Sequence, residues 1–127
     1  PRDGEFVHYI RGAINSYHVS YYSNTPDLPG RIASHVRKNN KFYLVANGPV
    51  GILPGETRPQ PIRLVKDGAR IQLTVDGRVA VDFTDDGRRY GPVYGEGKIG
   101  LRQMQWMVAR YRDFRVWALE SPRPLAP

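Results

Sequence analysis

The centre of the chain alternates apolar and polar residues with a period of two, the pattern of half-buried β-strands. In "IRLVKDGARIQL" the apolar positions Ile62, Leu64, Ile71 and Leu73 flank Asp67-Gly68. A two-residue turn there sets Lys66 opposite Ala69, Leu64 opposite Ile71 and Ile62 opposite Leu73, so the four apolar residues share a face. The same Asp-Gly pair recurs in "TVDGRVAV". A two-residue Asp76-Gly77 loop, however, would set Leu73 against Ala80 and Val79 against Thr74, which mixes the faces. A three-residue loop, Val75-Asp76-Gly77 with Gly77 left-handed, pairs Leu73 with Val79 and Ile71 with Val81 and restores one apolar face. The predicted meander therefore buries Ile62, Leu64, Ile71, Leu73, Val79 and Val81. Its other face carries Arg63, Val65, Arg70, Gln72 and Thr74, either solvated or lining a groove.

The same pattern predicts further strands over 5–10, 13–23, 32–37, 41–46, 98–104 and 108–119, beside the meander strands 61–66, 69–75 and 78–83. No segment has helical spacing. The gaps are rich in turn residues, as in "NTPDLPG", "NGPVGILPGETRPQP" and "TDDGRRYGPVYGEG". Short strands with long connections predict an all-β, antiparallel jelly-roll sandwich. Residues 1–119 form one domain in this reading, with a Pro-rich tail over 120–127. In "GKIGLRQMQW" the alternation puts Ile99, Leu101 and Gln103 on one face and Gly100, Arg102 and Met104 on the other. Ile99 and Leu101 then anchor the sandwich, while Gly100 clears space beside Arg102 on the outward side.

Composition agrees with a loop-rich β-protein: 13 Gly and 11 Pro in 127 residues are poorly tolerated inside helices. With no Cys there is no disulfide framework, thiolate metal site or Cys nucleophile. No run reaches the roughly 18 apolar residues of a membrane helix, and "PRDGEFVHYI" lacks the layout of a signal peptide. The chain starts at Pro1 rather than Met, as a processed or cropped chain would. Lys and Arg outnumber Asp and Glu by 19 to 12, a net charge of +7 that favours polyanionic partners. The basic residues, Arg31, Arg37, Lys38 and Lys41 among them, are scattered and are expected on a solvated surface.

Three stretches concentrate candidate chemistry. Beside Gly100, Arg102 offers a planar fork of donors that suits a carboxylate or sugar hydroxyls, although an outer-surface Arg also simply snorkels. In "INSYHVSYYSNTP", Tyr17, Val19 and Tyr21 fall on one face and His18, Ser20 and Tyr22 on the other. Tyr rings stack on sugars and His18 can carry a proton near neutral pH, or it can be merely structural. "DFTDDGRRYGPVYGEG" holds Asp85, Asp86, Tyr90 and Glu96. Its carboxylates can act as acid and base, while Asp85-Asp86-Gly87 is equally an ordinary turn. No cofactor or metal is expected; the acidic loop has the oxygen ligands calcium takes but matches no EF-hand. Metalloprotease, hydrolase-elbow and phosphate-loop motifs are absent. Aromatic spacing does not match an RRM and the chain is longer than an OB-fold, so nucleic acid is not the expected partner.

The blocks "YYSNTPDLPGR", "RKNNKFYLVANGP", "YGPVYGEGKIGLRQM" and "ARYRDFRVWAL" resemble the YesU-like family of bacterial polysaccharide-utilisation proteins, over about Tyr17 to Leu119. That resemblance implies a concanavalin A-like lectin/glucanase jelly roll whose concave sheet face binds carbohydrate, in a setting of plant cell-wall, pectin-type glycan breakdown. It implies no settled catalytic assignment. Residues matching the family's motifs are Asn24, Thr25, Pro26, Arg37, Asn39, Asp85, Asp86, Gly87, Tyr90, Gly91, Arg102, Gln103 and Met104. Family domains are longer, with strands ahead of the segment matching Phe6 to Ile10, so the chain is expected to be a later portion of such a domain or a trimmed sandwich.

The expectation is thus a carbohydrate-active protein taking an acidic oligosaccharide or polysaccharide, with no nucleic-acid or membrane partner, in a bacterial extracellular or periplasmic setting. Expected contacts are Tyr22, Asn24, Arg37, Asn39, Tyr90, Arg102 and Gln103. A lyase would use Arg102 or Gln103 to neutralise a uronate while His18 or a Tyr removes the C5 proton. A hydrolase would pair Asp85 or Asp86 with Glu96. A binding module without catalysis, or a general polyanion-binding surface, are the alternatives.

Overall fold

A computed structural model describes residues 15–22, 34–38, 43–53, 55–102 and 108–120. Among them are six strands: β1 (Tyr17–Ser20), β2 (His35–Lys38), β3 (Tyr43–Asn47), β4 (Ile62–Asp67), β5 (Arg70–Val75) and β6 (Arg78–Thr84). They form two three-stranded sheets, ordered β1-β2-β3 and β4-β5-β6. Every pairing between these strands is antiparallel. The all-β, antiparallel expectation holds. The strand expected over 5–10 lies outside the described residues.

The β4–β5 hairpin turns one residue later than expected, through Gly68-Ala69, which shifts the partners by two, with Asp67 opposite Arg70 and Leu64 opposite Leu73. Gly68 takes a left-handed φ of 53°, which a glycine adopts at little cost. Because side chains alternate with a period of two, a slip of two changes every partner and leaves every residue on its predicted face.

The β5–β6 connection is the two-residue Asp76-Gly77 turn that face-matching argued against. Both residues have positive φ, 49° and 75°, as a type I′ turn requires. A bulge cancels the mismatch: Thr74 pairs with Val79 and Leu73 with Val81, leaving Ala80 as the extra residue. Val81 and Phe83 thereby return opposite Leu73 and Ile71. Val79 does not join the apolar face, and it stands 56% exposed.

Val36 from one sheet and Leu73, Val75 and Val81 from the other form the core, with Val19, Tyr21, Val45, Ala46, Ala80 and Phe83 packed around it. A bulge at Val45, between the Val36–Ala46 and Arg37–Leu44 pairs, turns both Val45 and Ala46 towards it. The sheets meet through β2 and β3 against β6. β4 is the strand farthest from that contact, so Ile62 and Leu64 remain 52% and 47% exposed although they share the face of buried Ile71 and Leu73. Their expected burial is corrected accordingly.

The chain divides into two compact units, Pro1–Gly95 and Glu96–Pro127. In the second, residues 98–102 and 108–120 form no strand. Ile99 and Leu101 are 62% and 54% exposed and anchor no sandwich. Alternation yields a strand only where a neighbour supplies ladder hydrogen bonds, and no described residue of this unit does so.

Candidate functional site

The register of β1, β2 and β3 sorts their side chains onto two faces. Tyr17 faces Lys38 and Val19 faces Val36 on the core side. On the outer side His18 lies directly opposite Arg37, and Ser20 opposite His35. β3 extends both rows, with Leu44 beside Arg37 and Asn47 beside His35. The His18 and His35 rings meet edge to face, centroids 5.7 Å apart at 81°. His18, Ser20, His35 and Arg37 are all half-buried.

Of the residues expected in a site, this face brings together His18 and Arg37. His35, Ser20 and Asn47 join them without having been singled out. The signal for His35 was its place two residues before Arg37, the spacing that puts both on one face of a strand. Chemically the cluster offers a guanidinium fork, two imidazoles, a hydroxyl and an amide, a donor-rich set matching a carboxylate and vicinal hydroxyls. No carboxylate stands in these cross-strand rows.

At the other face a different arrangement closes the end of the sandwich. Lys38, expected among the solvated basic residues, is fully buried and forms a 2.6 Å ion pair with Asp85. Its ammonium also donates to the carbonyls of Gly91 at 2.8 Å and Pro92 at 2.7 Å, so all three of its N–H donors are used. Asp85 accepts from Lys38 and Tyr17 on Oδ2 and from the Gly87 N–H on Oδ1. Burial alone pushes the Asp85 carboxyl up, but these hydrogen bonds outweigh it and hold the group below its ordinary value. Burial, then the bond to Asp85, pushes the Tyr17 hydroxyl up to about 12, so it donates as a neutral phenol. The Tyr94 N–H donates to the Tyr17 oxygen, and the two rings lie 5.2 Å apart.

Asp86 is exposed and accepts from the N–H groups of Arg88 and Arg89, which lower its pKa. Tyr90 stacks on Tyr43 at 5.2 Å, with the Arg89 guanidinium 5.2 Å from the Tyr90 ring centre. Tyr22 is half-buried in an isolated parallel bridge to Ile52. Glu96 is exposed and Arg102 half-buried, both in the second unit. Asn24, Asn39 and Gln103 lie outside the described residues. Among the described residues no three His, Cys, Asp or Glu side chains are grouped to hold a metal ion. Likewise among them, no helix is long and apolar enough to cross a membrane.

The chain is 36% identical over 118 residues to the Uncharacterized protein YesU of Bacillus subtilis (strain 168), covering 91% of this chain and 54% of that protein. It therefore spans about half the length of this relative. A solved Bacillus subtilis structure, titled as a protein of unknown function with a galectin-like fold, superposes with a TM-score of 0.43 at 31% identity, over 49% of this chain and 29% of that one. The profile of a domain of unknown function, DUF1961, matches residues 1–116, and the chain belongs to that family.

Proposed function

We propose that this chain recognises an acidic oligosaccharide across the outer face of β1-β2-β3. The observation that carries the reading is the cross-strand pairing of His18 with Arg37, with the His35 ring packed on His18. Arg37 is the counter-ion for a sugar carboxylate, while Ser20, Asn47 and the imidazoles take hydroxyls. The net charge of +7 draws polyanions to the chain. We take the acidic ligand to be a pectin-type uronan, encountered outside the cytoplasm.

The test is titration of the chain with oligogalacturonides and with neutral oligosaccharides of equal length. Arg37→Ala is expected to weaken the acidic ligand by about tenfold, or ~1.4 kcal/mol, at low and at physiological salt. Affinity unchanged in this variant sinks the proposal. Binding that is lost with salt alike for every polyanion assigns a general charged surface instead.

The pairing also favours a second reading, polysaccharide lyase action on the same face. Arg37 would neutralise the uronate carboxylate and His18 would take the C5 proton. The electron pair then forms the C4–C5 double bond as the C4–O bond breaks, and the leaving oxygen takes up a proton. An ultraviolet-absorbing unsaturated product distinguishes this from binding alone. New reducing ends without that product would point to hydrolysis and to Asp86 or Glu96, since both oxygens of Asp85 are already engaged.

A further inference from the structure

A cleft of about 550 Å³ opens beside the Asp76-Gly77 turn, within the size range of small-ligand pockets. Its apolar lining includes Tyr21, Val50, Val75 and Val79, and its polar lining is Asp76 and Arg78. Val79 is available here because Ala80 is bulged and the β5–β6 ladder sets Val79 opposite Thr74, off the core face. We infer that this cleft binds a monocarboxylate with an apolar body, such as an aryl-alkanoate, a ligand class separate from the acidic oligosaccharide proposed above.

Charge on the lining selects the anion. Asp76 is held by Arg58 at 2.8 Å and is thereby neutralised. Among the described residues Arg78 has no ion-pair or hydrogen-bond partner. One guanidinium is left in an otherwise largely apolar lining, which fits a singly charged, planar carboxylate taken by two parallel N–H bonds. A dianionic phosphate would be left with a surplus negative charge beside Asp76. A fully polar sugar would leave the valine wall unfilled.

The walls are held in place before any ligand arrives. The Ser34 N–H donates to the Pro49 carbonyl at 2.9 Å and the Ile52 N–H to the Tyr21 carbonyl at 2.7 Å. On the turn side the Asp76 N–H donates to the Pro61 carbonyl at 3.0 Å. A preformed cleft avoids an ordering cost on binding.

The test uses the 127-residue chain and three probes: 3-phenylpropionate, the uncharged 3-phenylpropanol and phenyl phosphate. Binding is followed by calorimetry and by the methyl resonances of Val75 and Val79. The expected result is saturable binding of 3-phenylpropionate, about tenfold tighter than the alcohol. Arg78→Gln is expected to remove that advantage, while Val79→Asn weakens acid and alcohol alike. Both residues are exposed, so the melting temperature should stay close to that of the parent. No methyl shift with 3-phenylpropionate, an unchanged affinity in Arg78→Gln, or tighter binding of phenyl phosphate would overturn the assignment. An unchanged Arg37→Ala in the same titration keeps this result apart from the oligosaccharide reading.

Discussion

Lys38 and Asp85 stand 47 positions apart in sequence and meet at 2.6 Å with neither side chain exposed. The pair ties the end of β2 to the segment after β6, and the lysine's other two donors hold Gly91 and Pro92. Replacing either partner alone leaves an uncompensated buried group, which typically costs 3–5 kcal/mol, about that much being expected for Lys38→Met. Lys38→Met combined with Asp85→Leu should cost less than the two single changes added together. Urea unfolding of the four proteins checks this; additive losses would mean that the two groups act independently. The Asp85 pKa is lowered in the fold, so its contribution is present above the ordinary carboxylate range and is lost as the pH falls below that range through the lowered folded value.

Tyr17 gives the opposite pH limb. Its pKa rises from 10.0 to about 12 on folding, so its contribution is complete below pH 10 and disappears as the pH climbs towards 12. Tyr17→Phe should flatten the decline in melting temperature over that window relative to the parent. At neutral pH it should cost about 1.5–3 kcal/mol, the range for a hydrogen bond to a charged group. An alkaline limb identical in both proteins would remove Tyr17 from this role.

Gly48 is a packing position. A Cβ there would stand 2.4 Å from Ser34 Oγ, 2.6 Å from the Ala80 carbonyl oxygen and 2.8 Å from Val81 Cγ2. Gly48→Ala should destabilise by roughly 1–3 kcal/mol, the usual cost of overpacking. Gly95→Ala, with nothing within 4 Å of the added atom, is the control and should change the urea midpoint little.

Period-two alternation placed Ile71, Leu73 and Val81 in the core correctly, because facing is a local property of an extended chain. It missed the partners: a slip of two at Gly68 leaves the inner row unchanged and the bulge at Ala80 drops only Val79 from it, so pattern alone does not distinguish them. Lys38 shows a different gap. It shares the face of Val36 by the period of two, but it lay beyond the strand expected over 32–37 and its charge argued for solvent; only a carboxylate brought from after β6 makes its burial tolerable. For the candidate site, His18 and Arg37 were visible as residues, and their opposition depends on the β1–β2 register. Ile99 and Leu101 alternate as a core strand should, yet alternation carries no information on whether a partner strand stands alongside.

Ala80 is the one residue by which β6 is longer than its ladder with β5 needs. A chain lacking it would keep the Asp76-Gly77 turn and still point Ile71, Leu73, Val81 and Phe83 inward. Losing Val81 or Asp82 instead, with the bulge retained, would turn the residues beyond it to the wrong side. Within this hairpin, tolerance of length change is therefore concentrated at a single site, which makes Ala80 the position where deletions between related sequences are expected to collect.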